Sequence, residues 1–194
     1  MSHAARSAAR PATRPAAWWG MLVLIASEGA LFAAMLASYF YLSVYGGSWP
    51  LRGDPQPPLV TPIVLTGMLA LTSIPMQLAS LAARDRRLAP GRIFLLVALA
   101  VQAVYLAWQL HDFSQQLDAM NATHDAYSSI YYTLLGADHA HVALGLLFDI
   151  WLLAKLTRGL TSYRRNAVLA ITWYWHFVNL VTVIVTATLL TGRA

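Results

Sequence analysis

Seven polar or ionisable side chains stand inside apolar runs of this sequence: Glu28, Asp138, His139, His141, Asp149, His176 and Asn179. A carboxyl beside an imidazole can pass a proton, and two histidines from facing helices can hold a haem. The same groups can also do no more than tie helices together through hydrogen bonds. Spacing separates these uses. Asp138 and His141 are three residues apart and share a helix face. Asp149 follows Asp138 by eleven residues, about three turns. One stripe therefore reads Tyr127, Tyr131, Asp138, His141, Gly145, Asp149. His139 and His141 point to nearly opposite sides, so a regular helix cannot bring both to one metal. Thr172, His176, Asn179, Thr182 and Thr186 form a second polar stripe at spacings of three and four.

The elements that carry these stripes follow from composition. The chain has 194 residues, 58% hydrophobic and 11% charged, where a soluble domain carries about 25% charged residues. That balance points to an integral membrane protein. Cysteine is absent, which excludes disulfides, iron–sulfur clusters and thiolate chemistry. The formal net charge of +5 speaks to topology, since no basic–aromatic nucleic-acid motif accompanies it. Five apolar runs, 17–45, 59–83, 91–112, 127–156 and 166–190, are long enough to cross a bilayer as helices. The segments between them carry loop chemistry: GGSWPLRGDPQPP, ARDRRLAPGR, HDFSQQLDAMNATHD and TRGLTSYRRN. Runs of this length without strand-like alternation exclude a membrane barrel. The expected fold is all-α, a bundle of five transmembrane helices spanning 17–194, preceded by a basic tail over 1–16. The tail lacks the apolar core and cleavage site of a secretory signal; its Arg, Ser and Ala also suit a transit peptide, but a disordered cytoplasmic tail is the simpler reading.

With the N-terminus placed in the cytoplasm, eleven basic residues fall inside and two, Arg52 and Arg193, fall outside, a strong positive-inside bias. Pro75 should kink the second span, with Thr72 and Ser73 available to satisfy the freed backbone. Glu28 is the single glutamate of the chain. It reads either as a neutral packing residue or as a proton-handling or lipid-contacting group, since intramembrane acids are costly. Counted from the inner edge, Glu28 and His176 both lie about 16 Å deep. Equal depth allows them to face each other as an acid–imidazole pair, although helix neighbours are not readable from sequence, and His141 lies nearer the outer side. As a packing residue, His176 has Thr172 as a local partner.

Other chemistry fits poorly. A bis-histidine haem would need His141 and His176 at one depth, and they differ. A carboxylate-bridged di-iron bundle needs several glutamates. A transporter would more naturally show paired broken helices in two halves, and no repeat is visible. Phosphate loops, catalytic triads and metalloprotease signatures are missing.

Four blocks carry a resemblance. WWGMLVLIASEGALF (18–32), QLHDF (109–113), YYTLLGADHAHVALG (131–145) and WYWHFVN (173–179) resemble, in order, segments of subunit III of the haem–copper oxidases. Five spans resemble the shorter bacterial form. Asp138 stands where the family has the first histidine of a pair, Asn179 where an acid follows Phe-Val, and Thr182 where a tryptophan is common.

The resemblance implies a non-catalytic subunit of a terminal oxidase (cytochrome c or quinol oxidase) in a bacterial inner membrane, its helices arranged as two plus three. It implies no redox centre on this chain, with haems and copper on subunits I and II. It further implies bound phospholipid, support of proton uptake, and stabilisation of the catalytic subunit. Glu28 corresponds to the family's buried glutamate. His141, Trp175 and His176 match its motifs, and Asp138 and Asn179 occupy motif positions. A partner of a nitric oxide reductase and an independent membrane transport or binding protein are the alternative readings.

Overall fold

In lipid a backbone must satisfy its own hydrogen bonds, so long apolar runs fold as helices. The computed structural model describes residues 15–46, 49, 59–119 and 121–191, and among these every regular element is helical. The basic tail over 1–14, most of the connection between the first two spans and the last three residues, 192–194, lie outside the described residues, and Arg52 and Arg193 with them. The helices are α1 (Ala16–Tyr45), α2 (Val60–Leu71), α3 (Ser73–Arg84), α4 (Leu88–Ala119), α5 (Ala126–Leu156) and α6 (Ser162–Thr191). Taken together, α2 and α3 make one span, Val60–Arg84, and five spans result.

The second span breaks at Thr72, three residues before the proline expected to bend it. Pro75 has no N–H to give to Leu71, and its ring crowds the preceding turn. The Thr72 hydroxyl and amide both donate to the Leu69 carbonyl, at 2.6 and 2.9 Å. Neither bond reaches the Leu71 carbonyl that Pro75 leaves free, and the Ser73 hydroxyl accepts from Asn179 on α6.

Two helices outrun the lengths read from apolarity. α4 continues through HDFSQQLDA, which the sequence suggests is a loop. Side-chain bonds one turn apart, Gln115 to His111 at 3.2 Å and Gln116 to Asp112 at 2.6 Å, support that polar extension. Tyr131 and Tyr132 of α5 tie it down by donating to the side-chain and backbone oxygens of Gln116, each at 2.7 Å. α6 starts four residues early, within the basic segment, where the Thr161 hydroxyl accepts from Arg164 N.

The Asp125 carboxylate caps α5 by accepting from Ser128 N at 2.6 Å. At its other end Arg92 donates to the Leu156 carbonyl. The turn into α6 passes through Gly159 at φ +96°, a conformation glycine adopts without strain.

Packing divides the spans into three and two. α1, α5 and α6 touch one another, α2–α3 packs with α4, and the pair closes onto α5 and α6. α6 is the centre: in its most apolar stretch 61% of residues are buried, against 6% in α1. α1 is therefore the least covered of the five spans.

Candidate functional site

Glu28 on α1 meets His141 on α5, with Oε2 and Nε2 2.9 Å apart. The pairing of Glu28 with His176 that equal depth allows is not the one formed. The depth count went wrong at the helix end: α5 stops at Leu156, fifteen residues past His141, while Glu28 lies twelve past the start of α1. At about 1.5 Å per residue the two are nearly level.

The other ring nitrogen of His141 fixes the chemistry of the pair. Nδ1 lies 2.7 Å from the Ala137 carbonyl oxygen, which can only accept, so Nδ1 carries a hydrogen. One proton then occupies the line between Nε2 and Oε2. On nitrogen it makes an ion pair; on oxygen it makes a neutral hydrogen bond. The His141 side chain is 13% exposed and that of Glu28 26%, so the acid keeps a route to the surroundings. Phe32, one turn beyond Glu28, packs its ring against the imidazole at 4.9 Å, and Tyr174 OH donates to the His141 carbonyl at 3.0 Å. Imidazole and backbone are both held.

The rest of the α5 stripe turns to α6. Thr182 donates to Asp138 Oδ1 at 2.8 Å, both buried. This bond joins the two polar stripes read from sequence. Asp149 is fully buried beside the Trp175 indole N–H and the Gln102 amide, although no protein group reaches either carboxylate oxygen with direct hydrogen-bond geometry. Trp175 is fully buried and packs closely against Gly145: a Cβ added there would stand 2.7 Å from its Cζ2. The glycine is the space that the indole occupies.

His176 does not join this cluster. Its Nε2–H donates to the Gln77 side-chain oxygen on α3 at 3.1 Å. Thr172 is not its partner, for that hydroxyl donates to the Val168 carbonyl at 2.9 Å. Asn179 Nδ2 donates to Ser73 Oγ at 2.6 Å. His139 turns the opposite way from His141, its ring edge-on to Phe113 of α4 at 5.3 Å. Among the described residues no three of His, Asp and Glu converge as metal ligands.

Gln77 and Gln102 are residues that the sequence reading does not single out, and Ser73, expected to satisfy the backbone at Pro75, is instead the partner of Asn179. Gln102, set in LLVALAVQAVYLAW, carried the signal of any polar residue in an apolar run.

Sequence comparison supplies the context for this arrangement. The family described as cytochrome c oxidase subunit III matches residues 6–190. Among similar curated proteins, the probable quinol oxidase subunit 3 of Staphylococcus epidermidis is 26% identical over 168 residues, covering 86% of this chain and 84% of that protein. The probable quinol oxidase subunit 3 of Staphylococcus aureus is 27% identical over 171 residues, with the same shares of 86% and 84%.

Proposed function

Because this chain belongs to the cytochrome c oxidase subunit III family, we propose that it is the non-catalytic third subunit of a respiratory haem–copper terminal oxidase in a bacterial inner membrane. The chain is a membrane protein with five spans, and a subunit III has oxidase subunits for partners. In this reading it packs beside subunit I, which together with subunit II carries the haems and copper. The donor set of this chain does not suit those groups, because His139 and His141 diverge and His176 is bound to Gln77. The quinol oxidase names of the relatives favour quinol over cytochrome c as reductant of the complex.

One observation carries the proton-linked part of the reading: the 2.9 Å contact between Glu28 Oε2 and His141 Nε2. Within an acid–imidazole pair a proton can pass between carboxyl and imidazole with the net charge of the pair unchanged, and the partly open carboxyl is the end at which it can exchange with the surroundings. Asp138–Thr182, Asn179–Ser73 and Trp175 on Gly145 hold α3, α5 and α6 at fixed spacing and so keep the pair assembled. Stabilisation of the catalytic subunit follows if this rigid block forms part of its surroundings. Phospholipid along the poorly buried α1 completes the reading.

The test is purification of the chain from its native membrane under mild detergent. It should bring down a larger haem-bearing subunit in stoichiometric amount, and separated from that subunit it should show no Soret absorption. A stoichiometric haem on the isolated chain, or full activity in some other assay without partners, would reject the reading.

A further inference from the structure

The interior of the bundle holds a polar cluster that the Glu28–His141 pair does not use. Asp149 of α5, Gln102 of α4 and Trp175 of α6 are each fully buried. Five of their side-chain atoms reach no protein partner among the described residues: both Asp149 carboxyl oxygens, the Gln102 amide oxygen and nitrogen, and the Trp175 indole nitrogen. Buried polar groups are nearly always paired, with protein or with ordered water, so an unpaired group asks for an explanation. Here the unpaired groups stand together. Gly145 and Asp149 are four residues apart and share a face of α5. The Trp175 ring occupies the space at Gly145, its Cε2 3.1 Å from the position of an added Cβ, and Nε1 is bonded to Cε2. The indole N–H thus lies on the face of α5 that carries Asp149, and Gln102 comes to the same carboxyl from α4. α4 packs on α5 and not on α6, so Asp149 is where polar groups of all three helices meet.

No neighbouring charge accounts for the cluster. Asp149 is in no ion pair among the described residues. Lys155 lies over the Trp151 ring at 5.7 Å, Arg92 donates to the Leu156 carbonyl, and Glu28 and His141 engage each other. The donor and acceptor inventory selects the ligand instead. It must give hydrogens to oxygens and take them from two nitrogens. A cation would satisfy the oxygens and face two N–H groups. An anion would face a carboxyl. Water gives two hydrogens and takes two, and a buried water needs two to four polar partners. We propose that Asp149, Gln102 and Trp175 form a binding site for an internal water, which gives a hydrogen to the Asp149 carboxyl, accepts one from Trp175 Nε1–H and bonds the Gln102 amide. Through this water α4 gains a polar tie to α6, a helix it does not touch. The site lies wholly within this chain, so it stands or falls apart from the oxidase reading.

The experiment uses the full chain purified with whatever partners it keeps in mild detergent. Electron cryomicroscopy, at a resolution that shows ordered water, should find a peak about 2.7–3.2 Å from an Asp149 oxygen, the Gln102 amide and Trp175 Nε1. Radiolytic footprinting supplies a second readout, since hydroxyl radicals formed from a bound water oxidise the side chains beside it. Trp175 should be oxidised although it is fully buried, whereas the equally buried Tyr174, whose hydroxyl is bonded to the His141 carbonyl, should not. Gln102→Leu should lose both the peak and the oxidation of Trp175. Direct bonds from Asp149 to Gln102 and Trp175 with no peak between them overturn the site. A peak that gathers the oxygens and stands away from both nitrogens is a cation, and overturns the water assignment. Equal oxidation of Trp175 and Tyr174 would mean general solvent entry, and overturns it as well. The wild-type measurements decide the matter even if Gln102→Leu fails to assemble. Haem and subunit content of the same sample test the oxidase reading separately.

Discussion

His141 Nε2 lies 2.9 Å from Glu28 Oε2, joining α1 to α5 across 113 residues of chain. Because His141 Nδ1 already donates to Ala137, a glutamine at position 28 can still give its amide hydrogen to Nε2. Glu28→Gln should therefore spare assembly and cost about 1 kcal/mol or less, whereas Glu28→Ala strands a buried ring nitrogen and should cost about 1–3 kcal/mol. Thermal inactivation of the purified complex checks both. Glu28→Gln also fixes the proton on one partner, so it should slow proton uptake or shorten the working life of the oxidase. Turnover and lifetime identical to wild type would reduce Glu28 to packing.

Gly145→Ala isolates the fit between α5 and α6. A helical glycine normally gains up to about 1 kcal/mol on becoming alanine. Here the new methyl would stand 2.7 Å from a fully buried indole that has nowhere to go. Overpacking of that kind costs about 1–3 kcal/mol, so the net change should be destabilising. A lower melting midpoint for Gly145→Ala, partly restored by adding Trp175→Phe, is the expected result. A raised midpoint for the single variant would mean that the two helices are more loosely packed than described.

These contacts mark how far the sequence could be followed. The five spans were readable because bilayer thickness demands a long apolar run and charge marks its ends. The Asp138–His141 face and the Thr182 stripe were readable because helical periodicity is rigid. Which helix each stripe meets was not, since neighbours depend on packing rather than on anything along the chain. Equal depth therefore allows Glu28 to face His176, and only the packing of α1 against α5 shows that it meets His141. The end of α4 was missed for a related reason: HDFSQQLDA looks like a loop by polarity, and it stays helical because Tyr131 and Tyr132 anchor Gln116. The meeting of Gln102, Asp149 and Trp175 draws on three helices that no linear pattern connects.

The bond between Thr182 and Asp138 predicts an asymmetry. Thr182→Val keeps the shape of the side chain and removes the donor, leaving Asp138 Oδ1 buried and unpaired. It should cost about 1–3 kcal/mol. Asp138→Asn keeps an oxygen for Thr182 to reach and should cost less. In the double variant the two losses should not add, with a coupling of about 0.5–3 kcal/mol expected for residues in contact. Denaturation of the complex, followed by loss of this chain on native gels, gives all four corners of the cycle. Additive losses would mean that the two side chains do not depend on each other.

Asn179 has Ser73 as its partner across the α3–α6 contact, and that pairing lets the residue type at position 179 be tested. In wild type the Asn179 amide donates to Ser73 Oγ at 2.6 Å, at a site where Asn179 is 5% exposed. A carboxylate placed there cannot donate, but the Ser73 hydroxyl can turn and donate to it. Asn179→Asp should then be tolerated. The bond to a charged acceptor is worth about 1.5–3 kcal/mol, against about 1 kcal/mol for the neutral one. Ser73→Ala should therefore do more damage in the Asn179→Asp background than in wild type, because it leaves a buried carboxylate without its donor. Midpoints of thermal unfolding for the three variants decide the matter, with the double variant expected lowest by several degrees. If Ser73→Ala costs the same in both backgrounds, the α3–α6 contact is held by shape alone and the residue at position 179 plays no part in it.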